Sequence, residues 1–435
     1  MRNKLFVITL FLSLIALSTT IASETESRNF QISKSLDIYN SLFRELDMFY
    51  VDSIKPESFV SSSIDKMLED LDPYTTYIPE SEKDELEYMA TGEYAGIGAL
   101  IGQRDDKIVI LEPYENLPAQ KNGIKAGDVL IEVDGKKLKE KNVSQVSDML
   151  KGDIGTTVSI VIERDGQKKP VKIEFLREKI QLNPVDFYEI YDNIAYLHLN
   201  SFTDKSSEEV KKAFLDLKVK YKVEGLVLDL RDNPGGIVDE AINICNLFIP
   251  KGKTIVSTKG KNIQWDKTYK TLREPIDSEI PITVLVNGSS ASASEIVSGA
   301  LQDLDRAVII GNRTYGKGLV QTTRPVGYGG YLKVTTAKYY TPSGRCIQAI
   351  DYEHRNQDGK AERIPDSLTN EFKTTRGRIV KDGGGINPDV ILKEPKTLDI
   401  SYRLISDFYI FDYATEYYKK HPQIAPIDKF IFTDE

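Results

Sequence analysis

The chain has 435 residues, 40% of them hydrophobic and 28% charged, with a net charge of −9 at pH 7. That balance excludes a disordered low-complexity chain, and the acidity argues against nucleic acid as a partner; the length suits two or three globular domains. Two cysteines, Cys245 and Cys346, imply no disulfide framework and predict buried thiols, although export would permit one bridge.

Met1 to Lys4 is basic, Leu5 to Leu17 is almost wholly apolar, and Thr20 and Ala22 are small. This is the pattern of a cleaved secretory signal over residues 1–22, and it places the mature chain in the periplasm or on the extracellular side of a bacterial membrane. The apolar run is short for an ordinary transmembrane span, so an uncleaved anchor is the lesser reading. No cysteine stands beside the cleavage site for lipid attachment.

Residues 29–88 form a predicted helical element, with apolar residues at helical spacing in Tyr39, Leu42, Phe43, Leu46 and Phe49 and again in Ile64, Met67, Leu68 and Leu71. From residue 89 to 176 the pattern changes to short β-runs with glycines, GIGALIG, KIVILEPY, GDVLIEVDG and TVSIVI, with a helix near 142–151. Residues 177–395 alternate strands and helices in the manner of an α/β layer. Within that core, 330–340 alternates as an antiparallel strand, and a polar insertion between Ile347 and Gly383 has no assigned role. Residues 396–435, with Leu404, Phe408, Phe411 and Tyr413 among charges, read as a helical tail.

The chemistry concentrates in the core. The run Ile282 to Asn287 predicts a strand, Gly288 to Ala293 a turn, and Ser294 to Leu301 a helix. A serine at that junction, Ser292, has unpaired helix N–H groups beside it that can hold an oxyanion. Such serines are more often simple helix caps. What favours chemistry is a second strand, Arg306 to Gly311, leading to Lys317 between two glycines, 25 positions after Ser292. Glycines let the backbone approach closely enough to bury the amine, and a dry lysine loses its proton at accessible pH and can deprotonate serine. Gln321 is a neutral partner able to orient that amine.

Gly311 to Lys317 also fits the opening of a phosphate-binding loop, but Gly318 stands where that motif needs Ser or Thr and a Pro-stopped β-run follows, so a nucleotide is not expected. Three histidines, His198, His354 and His421, offer no triad: His198 reads as a packed strand residue, and the other two have no motif around them. No cluster of metal-ligand residues is evident, so neither metal nor cofactor is expected. A further strand, Gly225 to Asp229, runs into Pro234-Gly235-Gly236, a turn able to supply a second oxyanion donor.

These blocks carry a resemblance. LDPYTTYI from Leu71, GEYAGIG from Gly92, LDLRDNPGG, SASASEI, YGKGLVQ, YYTPSGR from Tyr339 and GINPDV from Gly385 occur in the order found in C-terminal processing peptidases, also called tail-specific proteases. The resemblance implies an α/β (mixed) peptidase core with an inserted PDZ domain and helical terminal elements. It implies a serine endopeptidase with Ser292 as nucleophile, Lys317 as base and Gln321 in support, and with the Ala293 N–H paired with that of Gly235 or Gly236 as oxyanion donors. It implies that residues 89–176 resemble a PDZ domain whose Gly96-Ile97-Gly98 loop binds the terminal carboxylate of a peptide, Ile97 lining the apolar side of the groove. The partners so implied are protein or peptide substrates with free C-termini, and a homodimer through the terminal helices is an option. An exported peptide-binding scaffold with a dead site is the competing class; intact Ser292 and Lys317 count against it.

Overall fold

The computed structural model describes residues 27–82, 93–393, 398–421, 423–426 and 429–431; the expected signal at 1–22 lies outside them. Two units are distinguished, Met1–Asp70 and Leu71–Glu435. In the first, helix α1 spans residues 27–49 and α2 spans Pro56–Glu69, with proline at the start where its missing N–H costs nothing. The two helices meet through Phe43 and Phe59, ring centroids 5.8 Å apart, and through Tyr39 and Ser63 hydroxyls at 2.5 Å. Phe30, Leu36, Leu42 and Phe49 on α1 are exposed.

The second unit opens on β1, Thr76–Ile78, and proceeds through β2, Glu93–Gly96; β3, Ala99–Arg104; β4, Lys107–Pro113; and the short α3, Pro118–Lys121. Then come β5, Val129–Val133; β6, Lys136–Lys137; α4, Val143–Leu150; β7, Thr157–Glu163; β8, Val171–Leu176; and β9, Glu178–Gln181. Strands β3, β4, β5, β7 and β8 form one antiparallel sheet in that order, with β6 on β5, while β2 pairs separately with β9. Alternation in Val158, Ile160 and Ile162 puts one face of β7 inward, where Ile110, Val146 and Leu150 complete a separate small core. Asn142 caps α4 reciprocally with Gln145, which fixes where that helix starts.

The larger core follows: β10, Val185–Tyr191; β11, Ile194–Leu199; α5, Ser206–Lys220; β12, Gly225–Asp229; α6, Val238–Phe248; β13, Thr254–Gly260; β14, Lys267–Lys270; β15, Ile282–Val286; α7, Ala293–Asp303; and β16, Ala307–Gly311. It continues with β17, Leu319–Pro325; β18, Tyr331–Tyr340; β19, Ile350–Arg355; β20, Ala361–Arg363; β21, Glu371–Lys373; β22, Ile379–Lys381; and β23, Val390–Ile391. A six-stranded sheet runs β10-β11-β12-β15-β16-β23, antiparallel at β10 and β11 and parallel from β11 to β23. Its central strands are continuous apolar runs, and α5, α6 and α7 complete the cluster through Phe214, Phe248 and Leu301. A five-stranded sheet, β1-β18-β13-β14 with β17 on β18, lies over the lysine loop, so 330–340 is the predicted antiparallel strand.

The insertion between Ile347 and Gly383 is two hairpins, β19 with β20 and β21 with β22. The tail is two helices, α8, Asp399–Ser406, and α9, Tyr409–Lys420, where one was expected, because Phe408 adopts φ 62° between them. Cys245 is buried in α6 and Cys346 is partly buried, both as free thiols. His198 is in a strand as read, but it is half-exposed with Nδ1 2.6 Å from Asp186, so it does not pack in the core. No described helix is long and apolar enough to cross a membrane.

Candidate active site

Strands β12, β15 and β16 are parallel neighbours, so their C-terminal ends deliver three turns to one side: Leu230 to Gly236, Asn287 to Ser292, and Asn312 to Gly318. This is where an open α/β sheet forms its ligand crevice. The first two turns are tied together by Asn233, whose carbonyl accepts the Ala291 N–H at 3.0 Å and the Ser294 hydroxyl at 2.9 Å. The Asn233 side chain donates to Leu199 O and accepts the Gly235 N–H at 2.8 Å. Ser290 fastens the same junction by donating to Leu230 O at 2.7 Å.

Ser292 sits at the residue before α7 with φ 56° and ψ −111°, a left-handed backbone that a serine adopts at a cost of roughly 1–3 kcal/mol. Gly235 lies against it at φ 100°: a Cβ there would stand 2.7 Å from Ala291 O and 2.8 Å from Ser292 Cβ. The Gly235 N–H is already spent on Asn233, whereas the N–H groups of Gly236 and Ala293 have no hydrogen-bond partner among the described residues.

Glu295, three residues after Ser292, is fully buried and joins the serine turn to the lysine loop. Its Oε2 accepts the backbone N–H of Ser292 and of Lys317, each at 2.9 Å; its Oε1 accepts the Thr314 hydroxyl at 2.6 Å and the Gly316 N–H at 2.7 Å. Burial pushes its pKa upward, and the four donors oppose that by favouring the carboxylate. The Tyr339 hydroxyl adds a second link, lying against the carbonyl oxygens of Ser292 and Lys317.

The glycines around Lys317 serve close approach, as their positions predict. Gly316, at φ 90°, leaves 2.3 Å between a hypothetical Cβ and Ala349, so only glycine fits. The insertion braces this loop from its other side: Gln348 accepts the Gly318 N–H at 2.7 Å, Ala349 donates to Gly316 O at 2.9 Å, and Arg363 donates to Tyr315 O at 3.0 Å.

The Lys317 amine lies over the Tyr74 ring, 4.3 Å from its centroid. Burial, and then the nearby Lys333 charge, bring its pKa down to about 8, while Glu295 and Asp72 pull weakly the other way. Among the described residues no hydrogen bond joins the amine to Ser292 Oγ or to Gln321; the Gln321 side-chain amide donates to Thr335 Oγ1 at 3.1 Å. The structure thus gathers Ser292, Ala293, Gly235, Gly236 and Lys317 on three cross-linked turns, with Gln321 on the adjoining strand β17. Sequence reading passed over Glu295, Tyr339, Asn233 and Tyr74.

Of the peptide-binding residues expected, Gly96 ends β2 and Gly98 begins the turn into β3 with φ 70°. Ile97 between them is buried in the small core, so its side chain lines no groove, and the loop offers backbone N–H groups only. The sheet edge beside it, β3, lies next to α4 with Leu100 exposed.

The sequence pattern of Peptidase family S41 matches residues 193–354, that of the PDZ domain residues 95–175, and that of the probable PDZ-protease C-terminal helical domain residues 400–435. A carboxy-terminal-processing protease of Bartonella bacilliformis is 37% identical over 79% of this chain and 80% of its own. A probable CtpA-like serine protease of Staphylococcus haemolyticus is 36% identical over 77% of this chain and 66% of its own. The solved photosystem II D1 C-terminal processing protease is 28% identical, with a TM-score of 0.45 over 83% of this chain and 89% of that one. On the matched patterns and the shared sequence of these relatives, the chain belongs to Peptidase family S41, as a carboxy-terminal-processing serine protease with a PDZ domain.

Proposed function

We propose that this protease cuts with a Ser-Lys dyad, Ser292 as nucleophile and Lys317 as base. The observation that carries the reading is the buried Glu295 carboxylate, which fixes the backbones of both residues on one oxygen. In the proposed cycle the neutral Lys317 amine takes the Ser292 proton, the serine oxygen attacks the scissile carbonyl, and the oxyanion accepts hydrogen bonds from the Ala293 and Gly236 N–H groups. Gly236 is preferred over Gly235 because the Gly235 N–H is occupied. The amine reaches Ser292 from its place over Tyr74 by side-chain torsion, and Gln321 turns from Thr335 to receive it. The protonated amine gives that proton to the leaving nitrogen as the C–N bond breaks, and in the second half Lys317 takes a proton from the water that attacks the acyl-enzyme and passes it to Ser292 Oγ as the ester C–O bond breaks.

The reading extends to recognition and location. The PDZ domain takes the free C-terminus of a substrate as a strand added to β3 beside α4, with the 96–98 loop holding the carboxylate. Export is supported by the secretory pattern over residues 1–22, and self-association by the exposed apolar residues of α1 and of α8 and α9, among them Phe30, Leu42, Ile400 and Tyr409.

The test uses one unstructured polypeptide with an apolar free C-terminus, the same chain amidated, and the same chain ending in two aspartates. Intact protein should cut the first fastest, Ser292→Ala should cut none, and EDTA or nucleotide should change nothing. Equal cleavage of all three would remove the C-terminal reading, and normal cleavage by Ser292→Ala would remove the nucleophile.

A further inference from the structure

The segment just before β1 builds the outer wall of the dyad. Asp72 Oδ1 accepts the N–H of Tyr74 at 2.8 Å and of Thr75 at 2.9 Å, and its Oδ2 accepts the Thr75 hydroxyl at 3.0 Å. This turn aims two side chains at once. Thr75 Oγ1 accepts the Thr335 N–H at 3.2 Å, and Thr335 Oγ1 in turn holds the Gln321 amide. Tyr74 lays its ring on the Lys317 amine. Its hydroxyl meets that of Tyr315 at 3.5 Å, and its ring packs edge-to-face with Tyr352 of β19, ring centroids 6.2 Å apart at 88°.

We propose that Tyr74 is a positioning residue that closes the solvent side of the Lys317 amine, and that the 347–383 insertion acts on the dyad by buttressing it through Tyr352. The proposal rests on the Ser-Lys reading above and adds a second role to an insertion that also braces the backbone of the lysine loop. Tyr74 and Tyr352 are themselves partly exposed, so they form the layer between amine and water. The charged groups acting on the amine are Asp72 from this segment, Glu295 from α7 and Lys333 from β18, with the Tyr74 ring against it; the Tyr339 hydroxyl lies on the Lys317 backbone carbonyl and the Tyr315 hydroxyl on that of Tyr74. Burial outweighs the charges among them in lowering the proton affinity of Lys317. Removing the ring therefore hydrates the amine and keeps it protonated to higher pH, although loss of the ring's attraction for a cation acts the other way. Phenylalanine keeps the cover.

The experiment follows the rate at which a fluorescent fluorophosphonate labels Ser292 across pH in the full-length protein, a readout independent of peptide binding. Tyr74→Ala should move the midpoint of the labelling profile to alkaline pH by roughly half a unit or more, with the rate lost at neutral pH recovered at the alkaline end. Tyr74→Phe should keep the wild-type midpoint, and Tyr352→Ala should move it in the same direction by less. Tyr352→Ala also serves as the test should Tyr74→Ala fail to fold. A wild-type midpoint in Tyr74→Ala whatever its rate, a Tyr74→Phe shift as large as that of alanine, or faster labelling at neutral pH on removing the ring would overturn the proposal. Lys317→Ala separates the two ideas: wild-type labelling there sinks the dyad and this proposal together, whereas lost labelling with an unmoved Tyr74→Ala midpoint sinks only the role of Tyr74.

Discussion

The Glu295 carboxylate accepts the backbone N–H of Lys317 at 2.9 Å through Oε2, the oxygen that also accepts the N–H of Ser292. Two loops from different strand ends thus share one acceptor. The strained backbone at Ser292 is held at both its groups, the N–H by this carboxylate and the carbonyl by the Tyr339 hydroxyl.

Glu295→Gln should show how much depends on that acceptor. Turned toward Ser292 and Lys317 the amide NH2 faces two N–H donors, and turned toward Thr314 and Gly316 it still faces the Gly316 N–H, the Thr314 hydroxyl being able to accept; each unpaired buried group costs about 1–3 kcal/mol. The expected outcome is a lower melting temperature and at least a roughly tenfold loss of kcat with little change in KM, since the damage falls on the reacting groups. Calorimetry and steady-state kinetics on one unstructured reporter check both.

Gly235→Ala should be worse than an ordinary glycine substitution. The new Cβ would meet Ala291 O, Ser292 Cβ and Ala293 N within 2.9 Å, all on the serine turn. Labelling of Ser292 by a fluorophosphonate should fall sharply, while Gly123→Ala, where a Cβ meets nothing within 4 Å, should label normally.

Much of this was legible in sequence because the signals are local. Apolar runs ending in small residues marked β12, β15 and β16, and glycines marked the close approach at Lys317. Glu295 was legible too, since Ser292-Ala293-Ser294-Glu295 has the spacing of a capping box; here the acid caps the serine N–H and also reaches the lysine loop. Tyr74 and Tyr339 were not, because each meets Lys317 across distant chain through a contact that no periodicity encodes. The break at Phe408 was missed because an aromatic residue in a left-handed conformation has no sequence signature.

The stability of the protein should depend on Lys317 with a definite sign. Its folded pKa, about 8, lies below the ordinary 10.5, so from about 8 to 10.5 the unfolded chain holds a proton that the folded chain does not. Stability from this group therefore rises with pH across that window, and below it the buried charge is a cost. Lys317→Met should raise the melting temperature at neutral pH, with a gain that shrinks as pH climbs toward 10.5. A gain independent of pH would show that packing, not charge, is responsible.

In the PDZ domain, core and edge should separate by mutation. Ile97→Asp should melt the domain, because Ile97 is 3% exposed among apolar neighbours. Leu100→Asp, at a position 45% exposed on β3, should leave the melting temperature intact and weaken selection of an apolar C-terminus. Thermal melts and competition between free and amidated substrates give the two readouts.

The central claim, that Ser292 and Lys317 act as one unit, is tested most directly by kcat/KM of Ser292→Ala, Lys317→Ala and the double variant on one unstructured reporter, with folding checked by circular dichroism. Each single change should abolish cleavage, the double should be no worse than either, and Lys317→Arg should fail as well, because arginine supplies no neutral base. Substantial cleavage by Lys317→Ala, or losses that simply add in the double variant, would contradict the dyad.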